Sequence, residues 1–437
     1  MKLTIIGAGY VGLVSGVGYS SLGNEVTCID VDENKVRMIA AGVPPIYEQG
    51  LEEALSKVLK EKKLSATTAY SSISSADLVF ICVGTPSRSD GSIDLKYVES
   101  AAEQVGNELR NSEKFVSIVV RSTVIPGTAL NVSKIIEGVS GKKHGRDFGI
   151  GMVPEFLKEG TALEDFMNPD RIVMGAEDEK TKELLEELHK GFNCPKIHTD
   201  SKTAEMVKYA SNTFLLTKIS FVNELANFCE RIGVDAKEVT VAMGLDRRIS
   251  PHFLNFGAGA GGSCFPKDVK AIMAFEKSMG FQPRILEVVW ETNVKQPLRM
   301  TELAEAALGK GNLDGKKVCV LGLAFKADTD DMREAASIPI IKELQKRDCK
   351  IAAYDPKAME NAKKIFPDIS YAASFEDALR GAEVCFIVTE WKEFKRPPPE
   401  FKRLMKSPIV IDGRRVLDPL EAKKTGLVYK GIGYGKK

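Results

Sequence analysis

The sequence predicts an α/β protein in which two doubly wound sheets flank a central helical domain built on one long helix. Three observations carry this. The chain opens as strand, glycine turn, helix and strand within residues 1–30; the same succession returns at 316–356; and apolar residues recur at helical spacing from 202 to 233. At 437 residues the chain is too long for one ordinary core, and the expected division is 1–199, 200–309 and 310–437.

The opening run "KLTIIGAGYVGL" is β-rich and contains Gly7-x-Gly9-x-x-Gly12. Glycines at these places permit a tight turn, close approach of a pyrophosphate to backbone N–H groups, and packing of the next helix on the strand. The helix N-terminus turns its positive dipole end to the phosphates. The second strand-like run, "EVTCID", ends on Asp30, 18 residues after Gly12, where a carboxylate can bind both hydroxyls of an adenosine ribose. A carboxylate there repels a 2′-phosphate, so NAD is favoured over NADP. The runs "DLVFICVGTP" (77–86) and "FVSIVVRSTVIPGT" (115–128) continue as strands. Each ends in a polar or Gly/Pro turn, at the edge where such sheets bind ligands.

Residues 202–233 read as one helix, with Met206, Tyr209, Ala210, Phe214, Phe221, Leu225 and Phe228 at three- and four-residue steps and Gly233 as a stop. An apolar face this broad suits the centre of a helical domain or a subunit interface. Helical pattern follows at 267–279 and 283–307. The opening theme then returns in "KKVCVLGLAFKADTDDMREA", and "SFEDALRGAEVCFIVTEW" (374–391) echoes residues 69–86. The second copy has Gly322-Leu-Ala-Phe-Lys326 in place of the three-glycine pattern. Two Rossmann-like domains are therefore expected, the second holding a nucleotide in a different way.

Hydrophobic residues make up 43% of the chain and charged residues 28%, a globular composition. Lys plus Arg number 61 against 60 Asp plus Glu, with no basic stripe, which gives nucleic-acid binding no support. No apolar run approaches the roughly 18 residues of a membrane span. "MKLTIIGAGY" leads straight into a strand with no signal-peptide pattern, so a cytoplasmic location is expected. The four histidines (144, 189, 198 and 252) show no metal or triad spacing, and no metal is expected. Of the eight cysteines, 28, 82, 319 and 385 lie in apolar strand-like runs, 229 on a helical stretch, and 194 and 349 at element ends. There a thiol acts as a small buried hydrophobe.

Cys264 stands apart. It ends the glycine run of "GAGAGGSCFPKD" (257–268) and is followed by Pro266, Lys267 and Asp268. A catalytic thiol must be accessible and inclined to thiolate, and a nearby cation favours that. The glycines let a backbone approach a bulky polar ligand closely. From these residues alone, a mobile surface loop with an incidental cysteine is an equal reading; the dinucleotide turn tilts the balance towards a nucleophile that traps an aldehyde. Lys208 and Asn212 share a helix face at i, i+4, lining a cleft or, for the lysine, snorkelling outward. Glu155 and Glu159 are unremarkable acids near a helix start, and Thr123 by itself reads as turn chemistry.

Together these stretches resemble the UDP-glucose 6-dehydrogenase family, within the nucleotide-sugar dehydrogenases. The likeness runs through "IIGAGYVGL", "STVIPGT", "PEFLKEGTA", "KYASNTFLLTKISFVNE", "GAGAGGSCFPKDV", "GLAFKADTDDMREA" and "YDP", nearly the whole chain. GDP-mannose dehydrogenases share much of the cysteine string and are the nearest rivals. N-acetylmannosamine dehydrogenases carry a histidine before the cysteine and another residue in place of Lys267. Ala260 departs from the family, which has a bulky, often aromatic residue there. The resemblance implies two successive NAD-dependent oxidations at C6 of the sugar, with Cys264 forming a thiohemiacetal and then a thioester. It implies that Lys208 and Asn212 hold the oxyanion, and that Asp268, Glu155 and Thr123 organise water and proton transfer. NAD contacts are implied for Gly7, Gly9, Val11, Gly12, Asp30, Lys35, Thr85, Thr123, Glu159, Lys267 and Arg333. Sugar-nucleotide contacts are implied for Glu155, Phe156, Leu157, Lys158, Glu159, Lys208, Asn212, Phe253, Leu254, Asn255, Phe256, Gly257, Gly261 and Lys326. Because Lys326 and Arg333 come from the second α/β domain, the resemblance implies a site formed between domains. It also implies a homodimer through the long helix. A non-catalytic NAD-sensing scaffold and a single-step dehydrogenase stay open as alternatives.

Overall fold

The computed structural model describes residues 1–309 and 312–436. The chain divides into two compact units, one of residues 1–211 with 270–279, the other of 212–269 with 280 to the C-terminal end.

The first unit holds β1 (Lys2–Ile6), β2 (Glu25–Ile29), β3 (Leu64–Thr67), β4 (Leu78–Ile81), β5 (Val116–Val120), β6 (Phe148–Met152), β7 (Ile172–Ala176) and β8 (Lys196–Thr199). They lie in the order β3-β2-β1-β4-β5-β6-β7-β8, parallel throughout except for the antiparallel β6–β7 pair. Strands covered on both faces read as unbroken apolar runs, and β4 (LVFI) and β5 (VSIVV) are buried at every residue. One side of the sheet packs Leu13, Val14 and Val17 of the helix Tyr10–Ser21; the other packs Val98, Ala102, Val132 and Ile136.

The second unit holds β9 (Lys317–Leu321), β10 (Lys350–Tyr354), β11 (Ser370–Tyr371), β12 (Val384–Ile387), β13 (Ile409–Asp412) and β14 (Val428–Gly431). Their order, β11-β10-β9-β12-β13-β14, repeats that of the first six strands, all in parallel. Val222 and Ala226 share a core with Met300, Val318 and Val320 of β9, and Ile411 of β13. Helical residues beyond 211 thus join the second sheet, and the compact units cut across the expected three-part division. The expected boundary at 309–310 borders positions outside the described residues.

The long helix is Ser201–Ile232. Its expected apolar face is two stripes. Leu216, Val222, Ala226 and Cys229 are buried, whereas Phe214, Phe221 and Phe228 are 64%, 56% and 57% exposed. The helix expected at 283–307 is split into Arg284–Lys295 and Arg299–Leu308 by a 3₁₀ turn at Gln296–Leu298. Pro297 lies in that turn, where its missing N–H breaks the helical ladder. Among the described residues, no helix is long and apolar enough to cross a membrane.

Candidate active site

In the first unit β1 runs into Gly7, whose N–H donates to the Ile29 carbonyl at 2.7 Å. Its φ is +96°, and a Cβ there would lie 2.8 Å from the Cys82 carbonyl oxygen. A Cβ at Gly12 would sit 1.8 Å from the Gly7 carbonyl oxygen. Gly9 is different: nothing lies within 4 Å of its Cβ position, so the space over the turn is open. The helix Tyr10–Ser21 starts there without a side-chain cap, with Val11 in its first turn. Its first N–H groups are a ready anion site. Asp30 is 8% exposed; Oδ2 accepts the Ala8 N–H at 2.9 Å and Oδ1 the Asp32 N–H at 3.0 Å, with Lys35 Nζ 3.7 Å away. A carboxylate accepts about four hydrogen bonds, which leaves capacity for ribose hydroxyls. Two packed glycines, one open glycine and an acid at the next strand end fit NAD. Further along the same edge Thr85 Oγ1 donates to the Thr123 carbonyl at 3.0 Å, tying the ends of β4 and β5 together.

The segment after β6 carries Glu155, Phe156, Leu157, Lys158 and Glu159. Glu155 and Lys208 are both buried, and Lys208 Nζ lies 2.8 Å from Glu155 Oε1. Lys208 therefore does not snorkel outward. Glu155 Oε2 accepts the Leu157 N–H at 2.8 Å. Burial pushes the Glu155 carboxyl up, but the Lys208 ammonium, the Leu157 N–H and the Arg121 guanidinium together hold it below the usual range. A buried ion pair loses much of its attraction to desolvation, so this one is better evidence of chemistry than of stability. Lys158 pairs with Asp165 at 2.8 Å.

Two carboxylates that belong to no sequence motif hold this edge together. Glu48 accepts the Gly160 and Ala162 N–H groups, each at 2.8 Å, and the Tyr10 hydroxyl. It thereby joins the dinucleotide turn to the 155–162 segment. Glu205, fully buried, accepts the Gly127 and Ala129 N–H groups at the start of the helix Thr128–Ser140 and anchors the loop after β5.

In the second unit Cys264 is exposed, while the other seven cysteines of the chain are buried or half-buried. The helix Phe265–Ser278 begins at the next residue, and the Cys264 carbonyl accepts the Asp268 N–H at 2.9 Å. The thiol thus stands at a helix N-terminus, whose dipole favours thiolate. Lys267, the cation expected to assist, has its Nζ 2.6 Å from Asp268 Oδ1. Asp268 is 1% exposed, and its Oδ2 accepts Asn212 Nδ2 at 2.6 Å.

The glycines before Cys264 are closely packed by protein on the side where a Cβ would stand. A Cβ at Gly257 would lie 2.5 Å from the Gly413 carbonyl oxygen, at Gly261 2.3 Å from that of Glu334, and at Gly262 2.8 Å from the Phe325 ring. Gly259 and Gly262 have φ of +95° and +88°. Three side-chain amides bind the loop backbone. Asn223 Oδ1 accepts the Gly257 N–H at 2.7 Å, and Gln296 Nε2 donates to the Gly257 carbonyl at 2.9 Å. Asn293 grips Ala260 on both sides, Oδ1 accepting its N–H at 2.8 Å and Nδ2 donating to its carbonyl at 2.9 Å. Of residues 253–257, Leu254 and Phe256 bury their side chains in the core; Phe253 lies against the Phe265 ring at 6.2 Å, and Asn255 is exposed. Lys326 lies 5.6 Å from the Phe325 ring. Arg333 forms a two-pronged pair with Asp331, and its carbonyl accepts the Gly262 N–H at 2.9 Å. Among the described residues, no cluster of His, Cys, Asp and Glu could hold a metal.

Family models of the UDP-glucose/GDP-mannose dehydrogenase family match in order along the chain. The NAD binding domain covers residues 1–193, the central domain 202–295 and the UDP binding domain 319–419. The UDP-glucose 6-dehydrogenase AglM of Haloferax volcanii is 42% identical, over 99% of this chain and 100% of its own. The UDP-glucose 6-dehydrogenase TuaD of Bacillus subtilis is 41% identical, over 99% of this chain and 93% of its own. A solved UDP-glucose dehydrogenase from the hyperthermophilic archaeon Pyrobaculum islandicum superposes with a TM-score of 0.91 at 40% identity, covering 99% of this chain and 98% of that one. With the fold, the dinucleotide turn and full-length similarity in agreement, the chain belongs to the UDP-glucose/GDP-mannose dehydrogenase family.

Proposed function

We propose that this enzyme oxidises C6 of UDP-glucose twice, consuming two NAD and one water and yielding UDP-glucuronate. The observation that carries the reading is the exposed Cys264 thiol at a helix N-terminus, on a loop fixed by its neighbours. Full-length similarity to UDP-glucose dehydrogenases supports the substrate.

NAD, when bound, accepts a hydride from C6 in each oxidation. Gly7, Gly9, Val11 and Gly12 receive its pyrophosphate, Asp30 and Lys35 its adenosine ribose, and Thr85, Thr123, Glu159, Lys267 and Arg333 complete its contacts. Residues 155–159, 253–257, Gly261 and Lys326 serve the sugar nucleotide. Cys264 Sγ adds to the C6 aldehyde to form a thiohemiacetal. Lys208 and Asn212 stabilise the oxygen that gains charge. After the second oxidation the carbon is a thioester. Water then attacks it, the C–S bond breaks, and the thiolate returns to the helix N-terminus that favours it. Glu155, Asp268 and Thr123 orient the water and carry protons; the Glu155–Lys208 and Asp268–Asn212 contacts support these roles.

In this reading the three modules 1–199, 200–309 and 310–437 bind cofactor, present the thiol and bind the nucleotide. The exposed Phe214, Phe221 and Phe228 stripe, one residue every seven, is the contact of a homodimer. Eight cysteines outside any disulfide suit a cytoplasmic enzyme. The test is product analysis of the purified protein with NAD and UDP-glucose, GDP-mannose or UDP-N-acetylmannosamine. UDP-glucuronate from UDP-glucose as the fastest reaction is expected. Faster turnover of either rival would reassign the substrate, and NAD binding without turnover would make the chain a sensor. Light scattering at micromolar concentration should give a dimer.

A further inference from the structure

We propose that Asn293 is a positioning residue for the Cys264 thiol, acting through the backbone of Ala260; the proposal rests on Cys264 being the nucleophile. Asn293 is 5% exposed on the helix Arg284–Lys295 and grips the main chain of Ala260, four residues before the thiol. Its amide spans one residue from both sides, as a paired strand would. The Ala260 N–H reaches Oδ1 at 2.8 Å, and Nδ2 reaches the Ala260 carbonyl at 2.9 Å. Only one orientation of the amide satisfies both bonds.

The clamp falls where the loop has least support of its own. Glycine stretches lose the most entropy on ordering, and the loop has no ladder of strand hydrogen bonds to offset that loss. Beside Ala260 stands Gly259, in the left-handed region at φ +95°. Gln296, one turn after Asn293, binds the Gly257 carbonyl at 2.9 Å, and the Gly262 N–H goes to the Arg333 carbonyl at 2.9 Å. Between these two anchors Asn293 supplies two of the bonds that fix residues 258–261. Because it grips main chain, the clamp is indifferent to the side chain at 260. Losing it would let the sulfur sample positions displaced from C6. A displacement of about 1 Å at a reacting atom can cost on the order of 10² in rate.

The first oxidation makes no bond to sulfur and the second half-reaction does, so misplacing the thiol has a distinct signature. In Asn293→Ala the KM for UDP-glucose and for NAD should stay within about threefold, while kcat for acid formation falls on the order of 10². The aldehyde should become trappable with hydroxylamine, and NADH per UDP-glucose should fall from two towards one. Independently of any substrate, alkylation of Cys264 by iodoacetamide, followed by peptide mass mapping, should change rate by several-fold. A purely structural role would lower the melting temperature and the active fraction while leaving two NADH per sugar and the alkylation rate as in the parent. That result would overturn the proposal. Asn293→Asp keeps the shape and the Oδ1 acceptor; if the alanine variant does not fold, the aspartate variant decides on the same readouts. Failure of the nucleophile reading itself would show separately, as undiminished acid formation by Cys264→Ala in the otherwise unchanged enzyme.

Discussion

The two sheets begin with the same hardware and use it differently. Gly7 and Gly322 both follow the first strand, at φ +96° and +92°, and each donates its N–H to the end of the neighbouring strand, Ile29 at 2.7 Å and Tyr354 at 2.8 Å. Each neighbouring strand then leads to an aspartate that accepts the next backbone N–H, Ala8 to Asp30 at 2.9 Å and Leu323 to Asp355 at 2.7 Å. There the likeness stops. In the first unit the helix starts at Tyr10, and among the described residues Asp30 accepts two backbone N–H groups, from Ala8 and Asp32. In the second, residues 322–336 intervene before the helix Ser337–Lys346. Asp355 is fully buried, accepting the Leu323, Ala324, Lys357 and Ala358 N–H groups and Trp391 Nε1. One aspartate is left with capacity for a ribose; the other holds its own loop together. A repeated fold therefore does not repeat a binding mode.

Exchanging the two aspartates for alanine should separate these roles most strongly. Asp355→Ala strands several buried donors, each worth about 1–3 kcal/mol; urea unfolding should show a loss of about 4 kcal/mol or an insoluble protein. Asp30→Ala should cost about 1 kcal/mol and instead narrow the preference for NAD over NADP. Equal stability losses in the two variants would erase the distinction.

The next effect sharpens the comparison through pH. The first unit buries His189, whose Nδ1 bonds the Leu185 carbonyl at 2.8 Å and whose Nε2 meets the Tyr19 hydroxyl at 2.9 Å. Burial pulls its pKa from 6.5 to about 4. Below pH 6.5 the unfolded chain takes up a proton that the folded chain refuses until about pH 4, so this contribution to stability is complete above 6.5 and declines on acidification. The decline amounts to roughly 3 kcal/mol across the window. Chemical denaturation at stepwise pH should show His189→Gln losing that slope; an unchanged slope would place the sensitivity elsewhere.

The smallest effect contrasts glycines. Gly9→Ala meets no protein atom within 4 Å, so stability should stay within about 0.5 kcal/mol. The methyl would stand in the approach to the turn and raise the NAD KM about tenfold, about 1.4 kcal/mol. Gly261→Ala, facing the Glu334 carbonyl oxygen at 2.3 Å, should instead destabilise the fold. If Gly9→Ala proved the more destabilising of the two, the open turn would be misassigned.

Much of this was legible in the sequence because it is local. Strand-glycine-helix succession, Asp30 at its spacing, the burial of Cys28, Cys82, Cys319 and Cys385, and the exposure of Cys264 follow from patterns a few residues long. What stayed hidden is long-range and polar. Asn223, Asn293 and Gln296 reach the glycine loop from across the chain, and side-chain amides on backbone leave no periodic trace. Glu48 and Glu205 carry no motif in the sequence, yet each holds two backbone N–H groups. Asp30 and Asp355 both read as strand-ending acids; only the donors around them tell them apart.

The thiol itself allows the most direct measurement. Enzyme quenched during turnover of UDP-glucose with NAD is examined by intact-protein mass spectrometry, and NADH is counted per sugar consumed. The parent should carry a sugar-nucleotide adduct on Cys264 and give two NADH per UDP-glucose, while Cys264→Ala should carry none and stop at or before the aldehyde. Near-normal formation of UDP-glucuronate by Cys264→Ala would contradict the nucleophile and leave residues 257–268 as structure alone.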